Sequence, residues 1–405
     1  MAPVAPLAGL RIIEISSFVA APLGGMTLAQ LGAEVIRIDP IGGSADVRRW
    51  PIAPSGASML WAGLNRGKRS VTVDLRSDEG QALIERLVAG SGPEGGIVLT
   101  NAVGRPGLGY ERLSEVRPDL IHLQIEGRYD GTSAVDYTVN AETGFPLVTG
   151  HPGSTTPVNH LLPAWDVACG LYAVAGLLAA ERHRGRTGEG RAIRLALGDV
   201  ALSIAGGLGL LAEAEVGGVE RARDGNYLYG SFGRDFATKD GERVMVVGLT
   251  GRHFRELGKV TGRAEAFTEL ERLLGADFRT DGDRYRHREV IAALIEPWFA
   301  ERTLSEVLGA LAETAVLCAP YRSFRSLVTE HRAELASNPL ISEIEQPGVG
   351  RHLMPGLPLR FGDDAGSGTA PALGGDAAGV LGDLLGMTGG EAEDLASRGV
   401  IGRPT

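Results

Sequence analysis

The sequence predicts an α/β fold with a parallel sheet, and three observations carry that prediction. Residues 10–39 run strand, loop, helix, strand, which is the order of a βαβ unit. Three further apolar, β-branched runs follow at 70–75, 96–100 and 120–125, with helical patterns between them at 80–89 and 110–116. The Asp240-Gly241 pair then joins two strand-like runs within 236–247, the signature of a hairpin rather than of another crossover. The first two describe a doubly wound sheet, whose ligands lie at the carboxyl ends of the strands. The third marks a second unit, beginning near Gly225.

Taken in order, residues 10–15 form the first strand, residues 16–25 turn the chain, and a helix covers 26–31 and ends at Gly32. Residues 34–39 form the second strand, closed by Pro40 and the Gly42-Gly43 turn. The loop after the first strand matches neither G-x-G-x-x-G nor G-x-x-x-x-G-K-[ST], so it signals neither a dinucleotide site nor a P-loop. Residues 127–159 read as a polar, glycine-containing loop. An apolar helix follows from Asp166, then an exposed basic turn at 182–190, a strand at 191–197 and a long helix at 199–215. Helical patterns dominate 252–311, and a glycine-interrupted helical stretch spans 376–398.

Composition excludes several classes of function. The 405 residues carry a net charge of −10 with no basic block, which argues against nucleic acid. No run approaches the roughly 18 apolar residues of a membrane span, and the N-terminus lacks the pattern of a signal peptide. A cytoplasmic location is expected. Cys169 and Cys318 lie far apart without metal-ligand spacing, and the eight histidines show no H-x-x-x-H or H-E-x-x-H pattern, so no metal is expected. No G-x-S-x-G elbow supports a hydrolase triad.

Asp166 stands out because no charged side chain follows it until Glu181. In the first turn of a helix a carboxylate meets free backbone N–H groups and the positive end of the dipole. It could be a nucleophile, a general base or a cap; an apolar setting favours a task, since a buried carboxylate is costly. Arg48-Arg49 and Lys68-Arg69 could bind phosphates or lie solvated on the surface. Asp136, Tyr137 and Asn140 fall in a polar loop where a parallel sheet would present a site.

Residues along almost the whole chain resemble the family III CoA-transferases. They include Pro6-Leu-Ala-Gly-Leu-Arg11, Leu31-Gly-Ala-Glu-Val-Ile-Arg37, Asn65-Arg-Gly-Lys-Arg-Ser70, Asp166-Val-Ala-Cys-Gly170, Arg186-Thr-Gly-Glu-Gly190 and Phe236-Ala-Thr-Lys-Asp-Gly241. The resemblance implies that Asp166 is a nucleophile that attacks an acyl-CoA thioester, passing through a mixed anhydride and an aspartyl-CoA thioester, with helix N–H groups stabilising the oxyanion. It places Val19, Ala20, Arg76, Asn101, Arg105 and Tyr137 at the CoA and substrate contacts. It implies no resident cofactor, CoA arriving as part of the substrate. It implies a Rossmann-like large domain from both chain ends (1–220, completed by 331–405) around a small α+β domain (225–330), and an interlocked homodimer. The racemase branch uses a histidine where this chain has Val135, which counts against racemisation.

Stretches such as Val135-Asp-Tyr-Thr-Val-Asn140 and Val158-Asn-His-Leu-Leu-Pro-Ala-Trp-Asp166 are similar to the branch that moves CoA from the C1 to the C4 carboxyl of one mesaconate. Intermolecular transfer to a free dicarboxylic acid is the alternative. A third possibility is CoA-thioester binding without turnover, against which Asp166 speaks.

Overall fold

The computed structural model describes residues 5–104, 106–361 and 368–404. The chain divides into two compact units: Met1–Thr143 with His160–Ala212 and Ala333–Thr405, and Gly144–Asn159 with Glu213–Arg332.

The first unit is built on six parallel strands: β1 (Arg11–Ile15), β2 (Glu34–Pro40), β3 (Arg69–Val73), β4 (Ile97–Thr100), β5 (Ile121–Glu126) and β6 (Arg191–Ala196). Their spatial order is β3-β2-β1-β4-β5-β6. The chain winds outward from β1 to β3, then returns to place β4 on the other side of β1. The order therefore reverses between β1 and β4, and the crevice beyond their carboxyl ends is where such sheets bind ligands. Helices cover both faces, so β1 to β5 are buried almost throughout, while the border strand β6 is largely exposed.

Charges are built into this sheet as a closed network. The buried Arg37 guanidinium donates from Nε to Asp39 Oδ2 at 2.8 Å and from Nη2 to Asp46 Oδ2 at 2.9 Å. Lys68 Nζ donates to Glu14 Oε1, Asn65 Oδ1 and the Pro22 carbonyl, each at 2.9 Å. Burial pushes the Lys68 ammonium down to about 8. The expectation that Lys68-Arg69 could hold phosphates is thereby corrected: Lys68 is consumed by Glu14, and Arg69 is paired with Glu34 and Asp383.

Helix α1 (Ala20–Gln30) starts six residues before the predicted 26–31. Pro22 fits its first turn, where N–H groups lack intrahelical partners anyway. Gly24 and Gly25 stay inside the helix because their missing side chains permit close packing. A Cβ on Gly24 would stand 3.1 Å from the Gly170 carbonyl oxygen, and one on Gly25 would overlap the Glu14 carboxylate.

Beyond β3 come α2 (Asp78–Ala89) and, within the predicted loop 127–159, α3 (Asp136–Glu142) and a short helix at Phe145–Val148. Helix α4 (Ala164–Thr187) carries Asp166 in its first turn. It runs through the predicted basic turn at 182–190 and stops at Gly188, which adopts φ +77. Arg184 is buried rather than solvated, donating to the Gly95 carbonyl at 2.7 Å. An 18-residue window of α4 reaches a mean hydropathy of 1.3, enough for a membrane span by length and composition, where the sequence reading finds none. Its small residues instead serve close packing: a Cβ on Gly170 would lie 2.6 Å from the Ala20 carbonyl oxygen of α1. The predicted helix at 199–215 is two helices, α5 (Leu197–Gly207) and Leu210–Gly217, broken at Gly209, whose φ is +79.

The C-terminal segment belongs to the first unit. A hairpin of β10 (Ile341–Gln346) and β11 (Gly350–Pro355) precedes helices Ala377–Leu385 and Gly389–Ser397. Val380, Leu381 and Leu384 join Ile84 and Leu87 in one apolar core. Ile401 bridges Val73 at the sheet edge.

The second unit holds β7 (Gly233–Ala237), β8 (Arg243–Val247) and β9 (Leu317–Pro320) in an antiparallel sheet. Asp240-Gly241 forms the predicted turn, with Gly241 at φ +82. Helices between Gly251 and Ala312 pack on it around Phe232, Phe254, Phe267 and Phe299.

Candidate active site

The β1 and β4 ends are tied together by Asn101. Its Oδ1 accepts the Ser17 N–H at 3.0 Å, and its Nδ2 donates to the Ser17 carbonyl at 2.8 Å. This clasp fixes the chain where it leaves β1. The next residue, Phe18, is held at φ +65, the one non-glycine in the left-handed region among the described residues. Such a conformation costs of order 1–2 kcal/mol and persists only where its surroundings enforce it. Helix α1 begins immediately afterwards, and no side chain caps its N-terminus.

These elements border a cavity of about 1040 Å³, lined also by Arg49, Asp136, Tyr137 and Asp166. Asp136 is nearly fully buried and organises the start of α4. Its Oδ2 accepts the N–H groups of Trp165 at 2.8 Å and Asp166 at 3.2 Å, while its Oδ1 lies 2.7 Å from His160 Nε2. The Trp165 indole N–H reaches Asn140 Oδ1 at 3.1 Å, and the His160 ring sits against both Tyr137 and Trp165. Thus Asp136, not Asp166, is the cap of α4. The expectation that first-turn N–H groups are free for an oxyanion is corrected for Trp165 and Asp166, whose amides Asp136 occupies.

Asp166 is left with a different character. Among the described residues none donates a hydrogen bond to its carboxylate. Burial, reinforced by the charge of Asp136 and opposed by that of Arg49, pushes it up to about 6. At neutral pH it is an anion with little compensation, the state in which a carboxylate is most ready to share its electrons. Cys169, close behind it, is buried, and burial together with Asp166 pushes its thiol up to about 12, so it supplies no thiolate.

The structure brings together Val19, Ala20, Asn101, Tyr137 and Asp166 around one cavity. Arg76 is not among them: it is exposed in the turn after β3, one residue past the lining Leu75. Arg105 lies outside the described residues. Of the arginine pair at 48–49, only Arg49 faces the cavity. Sequence reading missed Phe18, whose backbone state leaves no pattern, and assigned no role to His160. His160 Nε2 stands beside the carboxylate of Asp136, the residue that follows Val135.

This arrangement, a nucleophile-like carboxylate at a Rossmann-type switch point, is that of a CoA-transferase. The chain belongs to CoA-transferase family III, whose profile matches residues 7–377. It is 48% identical over 401 residues to the 2-methylfumaryl-CoA isomerase of Chloroflexus aurantiacus, spanning 98% of both chains. It is 29% identical to the alpha subunit of succinyl-CoA–L-malate CoA-transferase from Chloroflexus aurantiacus, over 98% of this chain and 92% of that one. A crystal structure of a CaiB/BaiF family protein from Brucella suis superposes with a TM-score of 0.77 at 26% identity, covering 94% of this chain and all of that one.

Proposed function

We propose that the protein converts 2-methylfumaryl-CoA (mesaconyl-C1-CoA) into 3-methylfumaryl-CoA (mesaconyl-C4-CoA) by intramolecular CoA transfer. The observation that carries this reading is the Asp166 carboxylate lining the cavity, to which no described residue donates a hydrogen bond, in a chain nearly half identical to an isomerase of that name.

In the first step an Asp166 oxygen attacks the C1 thioester carbonyl; the C–S bond breaks and CoA leaves as thiolate, giving a mixed anhydride. The thiolate attacks the aspartyl carbonyl of that anhydride, expelling mesaconate and leaving CoA on Asp166. The C4 carboxylate of the same mesaconate attacks the aspartyl thioester and releases thiolate. The thiolate then attacks the C4 acyl carbon, regenerating the carboxylate. Each step exchanges one acyl acceptor for another, with no net proton, water or redox change. The chemistry needs no general base, which agrees with a nucleophile that is ionised at neutral pH. No resident cofactor enters the scheme.

A homodimer is part of the same proposal. Leu171 and Tyr172 on α4 and Leu202 on α5 are exposed apolar side chains that a second copy would cover.

The decisive experiment converts labelled mesaconyl-C1-CoA in the presence of unlabelled mesaconate. No unlabelled acid is expected in the C4 product; dilution of the label would overturn intramolecular transfer in favour of a free dicarboxylic acceptor. Asp166→Ala is expected to abolish turnover while circular dichroism stays native, and retained turnover would remove the nucleophile assignment.

A further inference from the structure

Arg49 is the one cation among the described residues that line the cavity. Arg49 is exposed, and no carboxylate lies within ion-pairing distance of it among those residues. Its guanidinium carbon instead stands 5.2 Å from the centre of the Phe18 ring. That stacking engages the face of the guanidinium and leaves its edge N–H donors available, the edge that matches a carboxylate in a two-pronged bond. The left-handed backbone at Phe18, clasped through Ser17 and Asn101, keeps the ring in place beneath it.

The backbone of Arg49 is equally prepared. Its N–H donates to the Asp46 carbonyl at 3.2 Å, and its own carbonyl accepts the Ser58 hydroxyl at 2.6 Å. Asp46 is in turn bound by Arg37 at 2.9 Å, which ties this turn to the charge network of the sheet. A fixed backbone, a supported side chain and an unpaired charge beside a reactive carboxylate describe a receptor for a second anion.

Resting on the activity proposed above, we infer that Arg49 holds the substrate carboxylate that is not reacting, and so selects dicarboxylyl-CoA thioesters over monocarboxylic ones. In the first half of the reaction the C1 acyl carbon is at Asp166 and the free C4 carboxylate is at Arg49. After CoA moves to Asp166, mesaconate carries two carboxylates. Turning end for end places C4 at Asp166 and C1 at Arg49. One cation opposite the nucleophile serves both halves, and it retains the acid while no covalent bond does.

The test compares wild type, Arg49→Gln and Arg49→Lys with mesaconyl-C1-CoA as substrate and crotonyl-CoA, which lacks the second carboxylate, as competitive inhibitor. Loss of the charge-assisted pair is expected to raise KM for mesaconyl-C1-CoA roughly 10- to 100-fold in Arg49→Gln and less in Arg49→Lys. Inhibition by crotonyl-CoA is expected to be unchanged. Added labelled mesaconate is expected to enter the product of Arg49→Gln but not that of wild type. An unchanged KM, or equal weakening of both thioesters, would overturn the assignment while an active wild type leaves the proposed reaction standing. A wild type that does not isomerise mesaconyl-C1-CoA would overturn the reaction itself and the assignment with it.

Discussion

Replacing Asp166 by asparagine is expected to abolish turnover and, at neutral pH, to make the protein more stable. The argument follows from where the carboxylate titrates. In the unfolded chain it ionises near 3.8; in the folded protein burial and the charge of Asp136 push it up to about 6. Between these values the native state binds a proton that the unfolded state has lost, so wild-type stability falls as pH rises through the window. Each pH unit is worth about 1.4 kcal/mol, so ionisation of Asp166 costs the folded state up to about 3 kcal/mol. Partial exposure screens some of this, leaving about 1–3 kcal/mol. Asparagine fills the same volume without the charge. Urea unfolding of both proteins across pH checks the prediction: the variant is the more stable by about 1–3 kcal/mol at about pH 8, and the difference closes below about pH 4. An asparagine variant no more stable than wild type at about pH 8, or a gap that persists in acid, would refute the reasoning.

Three further outcomes are expected. Asp136→Asn keeps an oxygen to cap α4 but removes the neighbouring charge, so the acidic limb of kcat/KM shifts below about 6. It stays above the ordinary carboxylate range, because burial is the larger cause; a pH–rate profile with an unmoved limb would contradict this. Gly25→Ala forces a methyl into Glu14, which Lys68 and Ser16 hold in place. It is expected to destabilise by about 1–3 kcal/mol in thermal or urea unfolding, against the gain of about 1 kcal/mol that alanine brings to an ordinary helix interior. Cys169 is expected to resist thiol reagents in the native protein at neutral pH and to react on unfolding, as mass spectrometry of the labelled peptide would show.

Much of the first unit is legible in the sequence because its signals are local. The buried parallel strand at 96–100 is an almost continuous apolar run, and the Asp240-Gly241 turn announces its hairpin within two residues. What is not legible depends on partners remote along the chain. Pro22, Gly24 and Gly25 read as a turn because the groups that require glycine there, the Gly170 carbonyl and Glu14, belong to other elements. Lys68 resembles a surface cation until β1 supplies Glu14, and Arg184 does so until the Gly95 carbonyl reaches it. The candidate site divides in the same way. Asp166 at the head of an apolar helix is visible in the sequence; that Asp136 caps the helix in its place is not, since thirty residues separate the two. Arg76 follows a strand end as a ligand contact should, and it is exposed in the turn beside the lining Leu75.

The bridge between Val73 and Ile401 has a consequence for how the chain is made. Around it the Asp74 N–H donates to the Val400 carbonyl at 2.9 Å and the Gly402 N–H to the Thr72 carbonyl at 3.0 Å. The border strand of the sheet is thus sealed by residues that leave the ribosome after the whole of the second unit. Until then β3 presents a row of unmet donors and acceptors, open to a neighbouring nascent chain on the same message. Vectorial synthesis therefore finishes the scaffold of the site last, although the site's own residues emerge in its first half.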